Sequence, residues 1–585
     1  MDNKGVASVL REIGDLLDIR GENTFRIRSY RMGADSVEAH SQDVAAMVRR
    51  GDDLRAIEGV GEGIAAKIRE IVETGDCDYH RKLLSEIPGG LLELLEIPGL
   101  GPKGVSLVWT KLGVTSPADL ETAIGDGRFR TLPGMKEKKE ARILKGLLDL
   151  RKKQGRFLLP VADEATVVLS AYLKAHGAER VEAAGSCRRR RETIGDLDLI
   201  VVGGDRKALA DAFVAHPDVR EILGHGEAKS SAVLTSGLQV DMRPFSAADV
   251  GAALQYFTGS KAHNVALRER AQRRGLKLNE YGVFRVDDGT RIAGATEEDV
   301  YASLGLAFVP PELREDRGEI GQAEAGPLPR LVETRDLQGD LHSHTTESDG
   351  RDSLESMVEA ARKAGLRYLA VTDHSRAIPS PTQGTGMDER RCLAHIARIR
   401  DHQRRLDGFT LLAGIEVDIL PDGKLDMDEE VLAQLDLVVG SLHSRLNMEA
   451  AEMTDRVLRA LDHPRLHVWG HPLARLILKR DPVSLDVERV LEMAARRGVA
   501  LEVNGQPDRL DLPDTWIRAA RLCGARFVIS SDSHSVQQFG NLRYGAGQAR
   551  RGGLTPSEVL NTKSAPELVA SLRQPRAIDP PAAAP

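Results

Sequence analysis

Three patterns of hydrophobic and polar positions follow one another along the chain, and each predicts a different architecture. Residues 1–155 show short amphipathic helical segments separated by glycine, as in VASVLREIGDLLDI and IPGLGPKGVSLVWTKLG. Residues 160–310 alternate helices with short β-rich runs such as DLDLIVV. From residue 338 onward, strand-like runs such as LDLVVGSLHS alternate with helix-length segments. This last pattern predicts parallel strands with crossover helices, in either a barrel or an open α/β sheet.

Length and breaks in the pattern predict several domains. A chain of 585 residues is too long for one hydrophobic core. Residues 311–335 are polar and contain Pro and Gly, which is typical of a linker. The last residues, 573–585, are predicted to form a frayed tail.

Composition narrows the class of protein. The chain is 41% hydrophobic and 29% charged, and no run reaches the ~18 apolar residues that cross a bilayer. The N-terminus does not resemble a secretory signal, so we expect a cytoplasmic protein without a membrane partner. Cys77, Cys187, Cys392 and Cys523 are isolated in the sequence, which argues against a disulfide framework and a thiolate zinc site.

Charge alone leaves the question of nucleic-acid binding open. The net charge is −7, yet residues 128–156 hold 11 basic and 3 acidic residues, and Arg188 to Arg191 form an unbroken arginine run. Such a stripe can hold a phosphate backbone inside an acidic protein, because remote charge is screened over about 8–10 Å. Solvated helix faces would give the same composition.

Glycine-containing turns recur between the helices of residues 1–155. Gly59 and Gly61 form one such turn, Gly99 and Gly101 form a second, and Leu132-Pro133-Gly134-Met135 is a degenerate third. Glycine permits a positive φ and a close approach of phosphate to the backbone, and the next helix offers its N-terminus to the anion. This is the helix-hairpin-helix arrangement, which holds DNA without reading its sequence.

A group of aspartates in the second region predicts a site for divalent cations. Asp196 and Asp198 are two apart in a strand-like run, so their side chains share one face of a sheet, and Asp241 in LQVDMRPF can supply a third carboxylate. Three carboxylates can bind two Mg²⁺ ions for nucleotidyl transfer. Gly185 and Ser186 form a small turn before them that can cradle phosphate, and Arg189 is a candidate phosphate clamp.

Histidine is concentrated in the third region, where 10 of the 16 histidines follow residue 340. The polar residues at successive strand ends form one candidate ligand set: His342, His344, Asp349, His374, Glu416, His443, His471, Asp532 and His534. The carboxyl ends of parallel strands in a barrel converge on one mouth, so these residues can share a site. Imidazole with carboxylate favours Mn²⁺, Zn²⁺ or Fe²⁺, and nine ligands suit two or three ions with Glu416 bridging.

These motifs resemble bacterial family X DNA polymerases that carry a C-terminal PHP (polymerase and histidinol phosphatase) domain. Residues 56–68, AIEGVGEGIAAKI, resemble the lyase-type N-terminal domain of that family, in which the lysine matching Lys67 forms a Schiff base with an abasic sugar. A surface helix lysine is the alternative for Lys67. LQYFTGSKAHNVALRERAQRRGLKLNEY resembles the thumb. The PHP resemblance covers residues 338–540 and includes all nine candidate ligands.

The resemblance also implies roles for residues of the thumb. Tyr256, Phe257 and Gly259 would pack near the sugar of the incoming dNTP. Asn264 would touch the nascent base pair in the minor groove, and Arg268 would lie near the template. A minor-groove contact suits an enzyme that must accept all four base pairs, because that groove is degenerate.

The resulting expectation is an N-terminal all-α helix-hairpin-helix region, an α+β nucleotidyltransferase palm with a thumb, and a C-terminal α/β PHP barrel. The predicted boundaries are a lyase-like DNA-binding domain at 1–85, a second helix-hairpin-helix subdomain at 86–155, the palm at 156–245, the thumb at 246–310, a linker at 311–335, the PHP domain at 336–572 and a tail at 573–585.

The implied function is gap filling in DNA repair with Mg²⁺ or Mn²⁺, combined with a 3′–5′ exonuclease in the PHP domain. That domain can also act as an abasic-site endonuclease or a 3′-phosphatase. The expected partners are gapped or nicked duplex DNA and dNTPs, and the expected state is a monomer. Three alternatives remain: a small-molecule phosphoesterase with an accessory DNA-binding half, a non-catalytic repair scaffold, and a template-independent transferase.

Overall fold

The computed structural model describes residues 3–40, 42–153, 155–377 and 386–572, so the predicted tail at 573–585 lies outside the described residues. The chain divides into two compact units, with the boundary at residues 154–155. In the described parts of the chain, no helix is long and apolar enough to span a bilayer.

The first unit is helical throughout its described residues. Its α-helices are α1 (Asn3–Arg20), α2 (Thr24–Ala39), α3 (Val44–Arg50), α4 (Glu62–Thr74), α5 (Asp78–Glu86), α6 (Gly90–Leu95), α7 (Pro102–Leu112), α8 (Pro117–Gly125) and α9 (Glu137–Lys153). They enclose one hydrophobic core that includes Leu10, Ile13 and Leu17 of α1, all fully buried. The all-α prediction for this region is confirmed.

The second unit begins with a five-stranded sheet in the order β2-β4-β7-β6-β5, within the predicted palm. Its elements are β1 (Phe157–Leu158), α10 (Leu159–Ala175), β2 (Arg180–Ala183), α11 (Gly185–Arg188), β3 (Thr193–Ile194), β4 (Asp196–Val202), α12 (Arg206–Val214), β5 (Val219–Gly224), β6 (Ser230–Leu234) and β7 (Gln239–Phe245). Strands β4 and β7 are parallel, whereas the other pairs of this sheet are antiparallel.

The predicted thumb combines helices with a small antiparallel sheet, and a short ordered segment follows it. The thumb consists of α13 (Val250–Thr258), α14 (Lys261–Arg273), β8 (Leu276–Asn279), β9 (Gly282–Arg285), β10 (Arg291–Ala293) and α15 (Glu297–Ser303). The predicted linker at 311–335 contains α16 (Glu319–Ala325). Arg314 in this segment is fully buried and pairs with Glu297 at 2.6 Å, while Glu312 pairs with Arg550 at 2.7 Å. The segment therefore packs against the thumb and the C-terminal region, and the domain boundaries stay predictions.

The C-terminal region is a seven-stranded parallel sheet in sequence order, surrounded by helices. Its elements are β11 (Gly339–Asp340), α17 (Leu354–Lys363), β12 (Tyr368–Val371), α18 (Glu389–Gln403), β13 (Thr410–Asp418), α19 (Glu429–Leu432), β14 (Leu437–Ser441), α20 (Ala450–Leu461), β15 (Val468–Trp469), α21 (Val487–Arg497), β16 (Ala500–Asn504), α22 (Asp514–Leu522), β17 (Phe527–Ser530), α23 (Leu542–Arg551) and α24 (Ala565–Leu572). A parallel bridge between Ser343 and Ser533 joins the segments after the first and last strands, so the sheet is a nearly closed barrel.

Alternation along the strands decides which residues face the barrel interior. Leu437 and Val439 of β14 belong to the inner core, together with Ala500 of β16 and Val528 of β17. Residues two positions further along each strand point to the same side, because side chains alternate with a period of two. The polar residues at the carboxyl ends of the strands are thereby directed into the barrel mouth.

Candidate active sites

The carboxylates of the palm lie on two neighbouring parallel strands. Asp198 of β4 is the direct Cα partner of Asp241 in β7, and Asp196 pairs with Gln239 two residues earlier. Side chains two residues apart in a strand point to the same face, and so do directly paired residues of neighbouring strands, so Asp196, Asp198 and Asp241 share one face of the sheet. Asp241 is buried, Asp198 is partly buried and Asp196 is exposed. The three predicted carboxylates are therefore together, at the rim of the sheet.

Two basic side chains that the sequence reasoning missed compensate this negative charge. Lys229 Nζ lies 2.6 Å from Asp241 Oδ2, and Arg243 reaches Asp241 at 3.0 Å and Asp198 at 3.6 Å. Burial, and then the neighbouring Asp196, raise the pKa of Asp198 to about 6. Burial opposes ionisation of Asp241 too, but hydrogen bonds led by the one from Lys229 lower its pKa. A cluster that needs such compensation fits divalent cations.

Gly185 lies against the carboxylates, as a phosphate-cradling turn requires. Its φ is +59°, and a Cβ at this position would lie 3.1 Å from Asp198 Oδ2. Ser186 follows it in the short helix α11. The predicted clamp Arg189 is engaged inside the protein, since it donates to the Thr258 carbonyl and pairs with Glu315 at 3.2 Å.

The thumb brings Phe257 to the same site. The Arg243 guanidinium lies 4.7 Å from the centre of the Phe257 ring, which packs edge-on against Tyr256 at 5.1 Å. Asn264 supports this turn, because its Nδ2 donates to the Tyr256 carbonyl at 2.6 Å and its Oδ1 accepts from Gln255 at 2.8 Å.

The two remaining thumb residues predicted to contact substrate are Gly259 and Arg268. Gly259 has a φ of +68°, and a Cβ there would lie 3.2 Å from an Arg189 nitrogen. Arg268 is exposed on α14 and donates only along its own helix, to the Asn264 carbonyl at 3.3 Å. Its side chain is therefore accessible to a template strand.

The three hairpins of the first unit have one geometry, including the third, whose sequence is degenerate. Each has a glycine at positive φ: Gly59 at +75°, Gly99 at +95° and Gly134 at +76°. Each also buries an apolar residue at every third position: Leu54, Ile57 and Val60; Leu94, Ile97 and Leu100; Phe129, Leu132 and Met135. Gly61 and Gly101 cap the following helices α4 and α7, and a Cβ on either would meet open space. The backbone at these turns is thus open to a phosphate.

Lys67 lies on α4 beside two tyrosines. Its Nζ is 5.2 Å from the centre of the Tyr79 ring and 6.0 Å from that of Tyr30, and it donates to the Gly63 carbonyl at 3.2 Å. The lysine is therefore held against an aromatic wall, unlike a fully solvated helix lysine.

The barrel mouth gathers the histidines and carboxylates predicted as ligands. Three groups of their donor atoms form among the described residues, each with all atoms within 4.8 Å of one another: His344, Asp349, His374 and His534; His342, His344 and Asp532; His374, Glu416 and His443. The ninth predicted ligand, His471, places Nε2 3.0 Å from Glu416 Oε1. All nine predicted ligands are thus at one site.

Glu416 occupies the centre of this cluster. Its Oε2 lies 2.9 Å from His374 Nδ1 and 3.2 Å from His342 Nε2, and its Oε1 faces His443 and His471 at 3.5 and 3.0 Å. Among the described residues, both oxygens are buried and make no hydrogen bond, as is also true of both ring nitrogens of His344. Buried polar atoms without partners are costly, so this donor set fits bound cations.

Electrostatics divides the cluster into two kinds of group. Burial, and then the neighbouring His534 and His374, lower the pKa of His344 to about 4, which keeps its imidazole neutral. Burial is outweighed for His534 by the nearby Asp349, which raises its pKa to about 9. The carboxylates stay ionised: burial opposes this, but the surrounding histidines hold the pKa of Glu416 well below its usual range. His534 must lose this proton when a cation binds, because Mn²⁺, Zn²⁺ and Fe²⁺ take neutral imidazole and carboxylate as ligands.

Further buried carboxylates surround the ligands, and the sequence analysis did not single them out. Asp373 accepts from the Thr345 backbone at 2.8 Å and the Ser348 hydroxyl at 2.6 Å, which fixes the loop that leads to Asp349. Glu502 contacts His342 at 2.7 Å. Both are polar residues inside otherwise apolar strand patterns, which is the signal that could have identified them.

The arginine run at 188–191 turns out to be paired within this unit. Arg188 pairs with Glu297 at 2.5 Å, Arg189 with Glu315 at 3.2 Å, Arg190 with Asp163 at 2.7 Å and Arg191 with Glu315 at 3.7 Å. The next residue, Glu192, accepts from Arg475 at 2.7 Å and Gln548 at 2.8 Å, both in the C-terminal region. The run therefore joins the palm to the thumb and barrel, a role that composition left undecided.

Comparison with known families assigns the two helix-hairpin-helix regions, the thumb and the C-terminal region. Residues 1–77 match the family model of a helix-hairpin-helix domain, and residues 91–149 match that of a SAM-like helix-hairpin-helix tandem. Residues 253–315 match the DNA polymerase beta thumb, and residues 340–506 match the PHP domain. This order of regions defines a class of protein, the family X DNA polymerases with a PHP domain.

Individual relatives narrow this class. The chain is 32% identical over 580 residues to a Bacillus subtilis (strain 168) protein named DNA polymerase/3′-5′ exonuclease PolX, covering 98% of this chain and 100% of that protein. The chain therefore belongs to the PolX family, and the resemblance seen in its sequence is confirmed.

Other relatives match a smaller part of this chain. A probable phosphatase of Syntrophotalea carbinolica is 30% identical over 243 residues, which is 40% of this chain and 94% of that protein. A probable phosphatase of Shewanella oneidensis is 27% identical over 211 residues, which is 34% of this chain and 78% of that protein.

Proposed function

We propose that this chain is a DNA-directed DNA polymerase that fills short gaps during DNA repair, and that its PHP region is a 3′–5′ exonuclease. The observation that carries the polymerase assignment is the pairing of Asp198 with Asp241 across parallel strands, with Asp196 on the same face. Family membership and the three hairpins support DNA as the substrate.

Each part of the palm site has a role in this proposal. The three aspartates would hold two Mg²⁺ or Mn²⁺ ions, which would supply activation of the primer 3′-hydroxyl and stabilisation of the leaving pyrophosphate. Gly185 and Ser186 cradle the triphosphate of the dNTP, whose sugar packs on Tyr256, Phe257 and Gly259. In this proposal Asn264 and Arg189 must leave the internal partners they have here before they can touch the base pair and the phosphate.

The barrel site carries the hydrolytic activity in this proposal. Its nine histidines and carboxylates would hold two or three Mn²⁺, Zn²⁺ or Fe²⁺ ions, which would supply activation of water near neutral pH and stabilisation of the charge on phosphorus. Glu416 would hold ions together with the histidines that its two oxygens face, and Asp349, 38% exposed, lies on the open side where a DNA end would enter. Abasic-site endonuclease and 3′-phosphatase action would use the same residues.

Incubation of the purified chain with gapped duplex in Mn²⁺, with and without dNTPs, tests both activities. We expect the primer to lengthen only with dNTPs and according to the templating base, and the 3′ end to shorten without them. Extension that ignored the template would indicate a template-independent transferase. Neither extension nor shortening by the folded protein would contradict the proposal and favour a scaffold.

The probable phosphatases that match 40% and 34% of this chain define a second candidate, a small-molecule phosphoesterase. Hydrolysis of histidinol phosphate without any hydrolysis of DNA ends would favour it. The thumb and both helix-hairpin-helix matches argue for DNA, because a small-molecule enzyme has no use for them.

The contacts of Lys67 with Tyr79 and Tyr30 favour an additional abasic-site lyase activity. A lysine that attacks a sugar aldehyde must first lose its proton, and the two tyrosine rings hold the Lys67 amine in one place. Borohydride should trap a covalent adduct with abasic DNA, and Lys67→Ala should remove at least about 90% of it, the share that a sole nucleophile accounts for. Lys111→Ala, an exposed lysine of the second hairpin unit, is the matched control. An undiminished adduct in Lys67→Ala would remove this role.

A further inference from the structure

Strand β16 differs from the other six strands of the barrel because it contributes none of the nine predicted ligands. Its buried carboxyl end carries Glu502 and Asn504, both 0% exposed. Side chains alternate along a strand, so Glu502 and Asn504 point into the barrel as Ala500 does. They reach the cluster from the strand that supplies no predicted ligand.

Glu502 receives hydrogen bonds on both oxygens. Oε1 lies 2.7 Å from His342 Nδ1 and accepts from the Ser530 hydroxyl at 2.6 Å. Oε2 accepts from the backbone N–H of His471 at 2.5 Å and from Asn504 Nδ2 at 3.1 Å. One buried carboxylate thus contacts two of the predicted ligand residues.

We propose that Glu502 and Asn504 are positioning residues of the barrel metal site, which set the tautomer and orientation of its ligands without binding a cation themselves. This inference rests on the proposed function of the barrel as a metal-dependent nuclease. It names the residues that prepare the site.

The contact with His342 decides which ring nitrogen is available. A carboxylate can only accept, so Nδ1 carries a proton, and in the neutral imidazole that binds a cation Nε2 then presents its lone pair. Nε2 is the atom that lies 3.2 Å from Glu416 Oε2, and it makes no hydrogen bond. The carboxylate of Glu502 therefore directs the correct nitrogen toward the centre of the cluster.

The contact with His471 fixes its backbone. His471 has a φ of +24°, a conformation that is strained for a residue with a side chain. The hydrogen bond from its N–H to Glu502 holds this turn, from which the imidazole reaches Glu416 at 3.0 Å.

Asn504 extends the same arrangement to a third ligand. Asn504 Nδ2 donates to Asp532 Oδ2 at 3.0 Å. The other oxygen of the same carboxylate, Asp532 Oδ1, faces His344 Nε2 at 3.2 Å. One amide therefore bridges Glu502 to the oxygen of Asp532 that does not face the histidines.

Replacement of Glu502 by Gln tests the proposal with little change in shape. The amide must present its NH₂ either to His342 or to the N–H of His471. In the first case Nδ1 becomes an acceptor and the proton moves to Nε2; in the second, two donors face each other. Either outcome disturbs a ligand, and loss of such an outer partner weakens metal binding about 10–100-fold.

Mn²⁺ titration followed by electron paramagnetic resonance gives the primary readout, in an Asp198→Asn parent so that binding at the palm is weakened. We expect Glu502→Gln to weaken at least one Mn²⁺ site about 10–100-fold. In the chain with intact Asp198, we expect the kcat for exonucleolytic shortening to fall by a similar factor, with KM for DNA and the rate of dNTP incorporation unchanged. Ser530→Ala is the buried control, because it removes a hydrogen bond to the same carboxylate without freeing the Nδ1 contact; we expect less than a threefold change, about the ratio that 0.6 kcal/mol gives.

Unaltered Mn²⁺ binding in folded Glu502→Gln would overturn the proposal, as would an equal loss in Ser530→Ala. If Glu502→Gln does not fold, Asn504→Ala is assessed by the same criteria. Absence of nuclease activity in the unsubstituted chain would count against the proposed function alone, because the Mn²⁺ titration still measures the effect of Glu502.

Discussion

The palm and the barrel both bring together carboxylates that can bind cations, but they surround these carboxylates with different side chains. The palm places three carboxylates on two strands and balances them with Lys229 and Arg243 from its own sheet. The barrel surrounds Glu416 with imidazoles from several strand ends, and leaves both of its oxygens without hydrogen bonds. The palm site therefore keeps internal cations that can substitute for bound metal, whereas the barrel site depends on metal more strongly.

The largest expected effect is the loss of 3′ shortening by a substitution in the barrel site. Glu416→Gln removes the negative charge that faces five histidines, so we expect 3′ shortening to fall by about 10²–10³-fold, the size typical for loss of one central electrostatic group. Incorporation of dNTPs should be unchanged. Rates on gapped duplex, scored separately for the two reactions, measure this.

Glu430→Gln, an exposed substitution on α19, is the matched control and should leave both rates intact. Loss of incorporation in folded Glu416→Gln would mean that the two sites are not independent.

The next effect distinguishes the sites by their ligands. Chelation should abolish both activities, and Mn²⁺ should restore both. Mg²⁺ should restore incorporation but leave shortening about 10-fold or more below its rate in Mn²⁺, because imidazole ligands favour Mn²⁺ and oxygen ligands accept Mg²⁺. Add-back titrations on the chelated protein provide the measurement, and equal recovery of shortening with Mg²⁺ would contradict the assignment of histidine ligands.

The smallest effect concerns the stability of the palm. Burial raises the pKa of Asp198 from 3.8 to about 6, so the folded state holds this proton more tightly than the unfolded state. Stability is therefore lost as the pH rises from about 4 to about 6, and above that range the ionised carboxylate costs about 1–3 kcal/mol. In chelator, Asp198→Asn should unfold at a higher urea midpoint than the unsubstituted chain at pH 8, and at the same midpoint at pH 4.

Mn²⁺ should reverse this difference, because it stabilises the form that binds it. Asp287→Asn, an exposed substitution in the thumb, should show no difference between the two pH values. A lower midpoint for Asp198→Asn at pH 8 would show that the carboxylate is not strained by burial and its neighbours.

The same comparison explains how much of the molecule could be predicted from its sequence. The spacing of Asp196 and Asp198 in a strand predicted that their side chains share one face. The positions of the histidines at strand ends predicted that they meet at one mouth of the barrel, so both clusters followed from periodicity and topology. The third hairpin was underestimated, because its buried residues at every third position preserve the turn although the second glycine is missing.

Residues that act through partners distant in sequence could not be identified in this way. Lys229 reaches Asp241 only because β6 lies beside β7, and Glu502 reaches His342 across 160 positions of the chain. The arginine run shows a related case: its composition left phosphate binding undecided, and three of its four arginines pair with Glu297 or Glu315 of other regions. Pairing of this kind depends on the fold, and composition does not encode it.

The account depends on two independent cation sites in one chain, and a reciprocal pair of variants tests this most directly. Extension and 3′ shortening of one gapped duplex are measured in Mn²⁺ for Asp198→Asn and for His344→Ala. We predict that Asp198→Asn loses extension and keeps shortening, and that His344→Ala loses shortening and keeps extension. Loss of both activities in either folded variant would contradict the account.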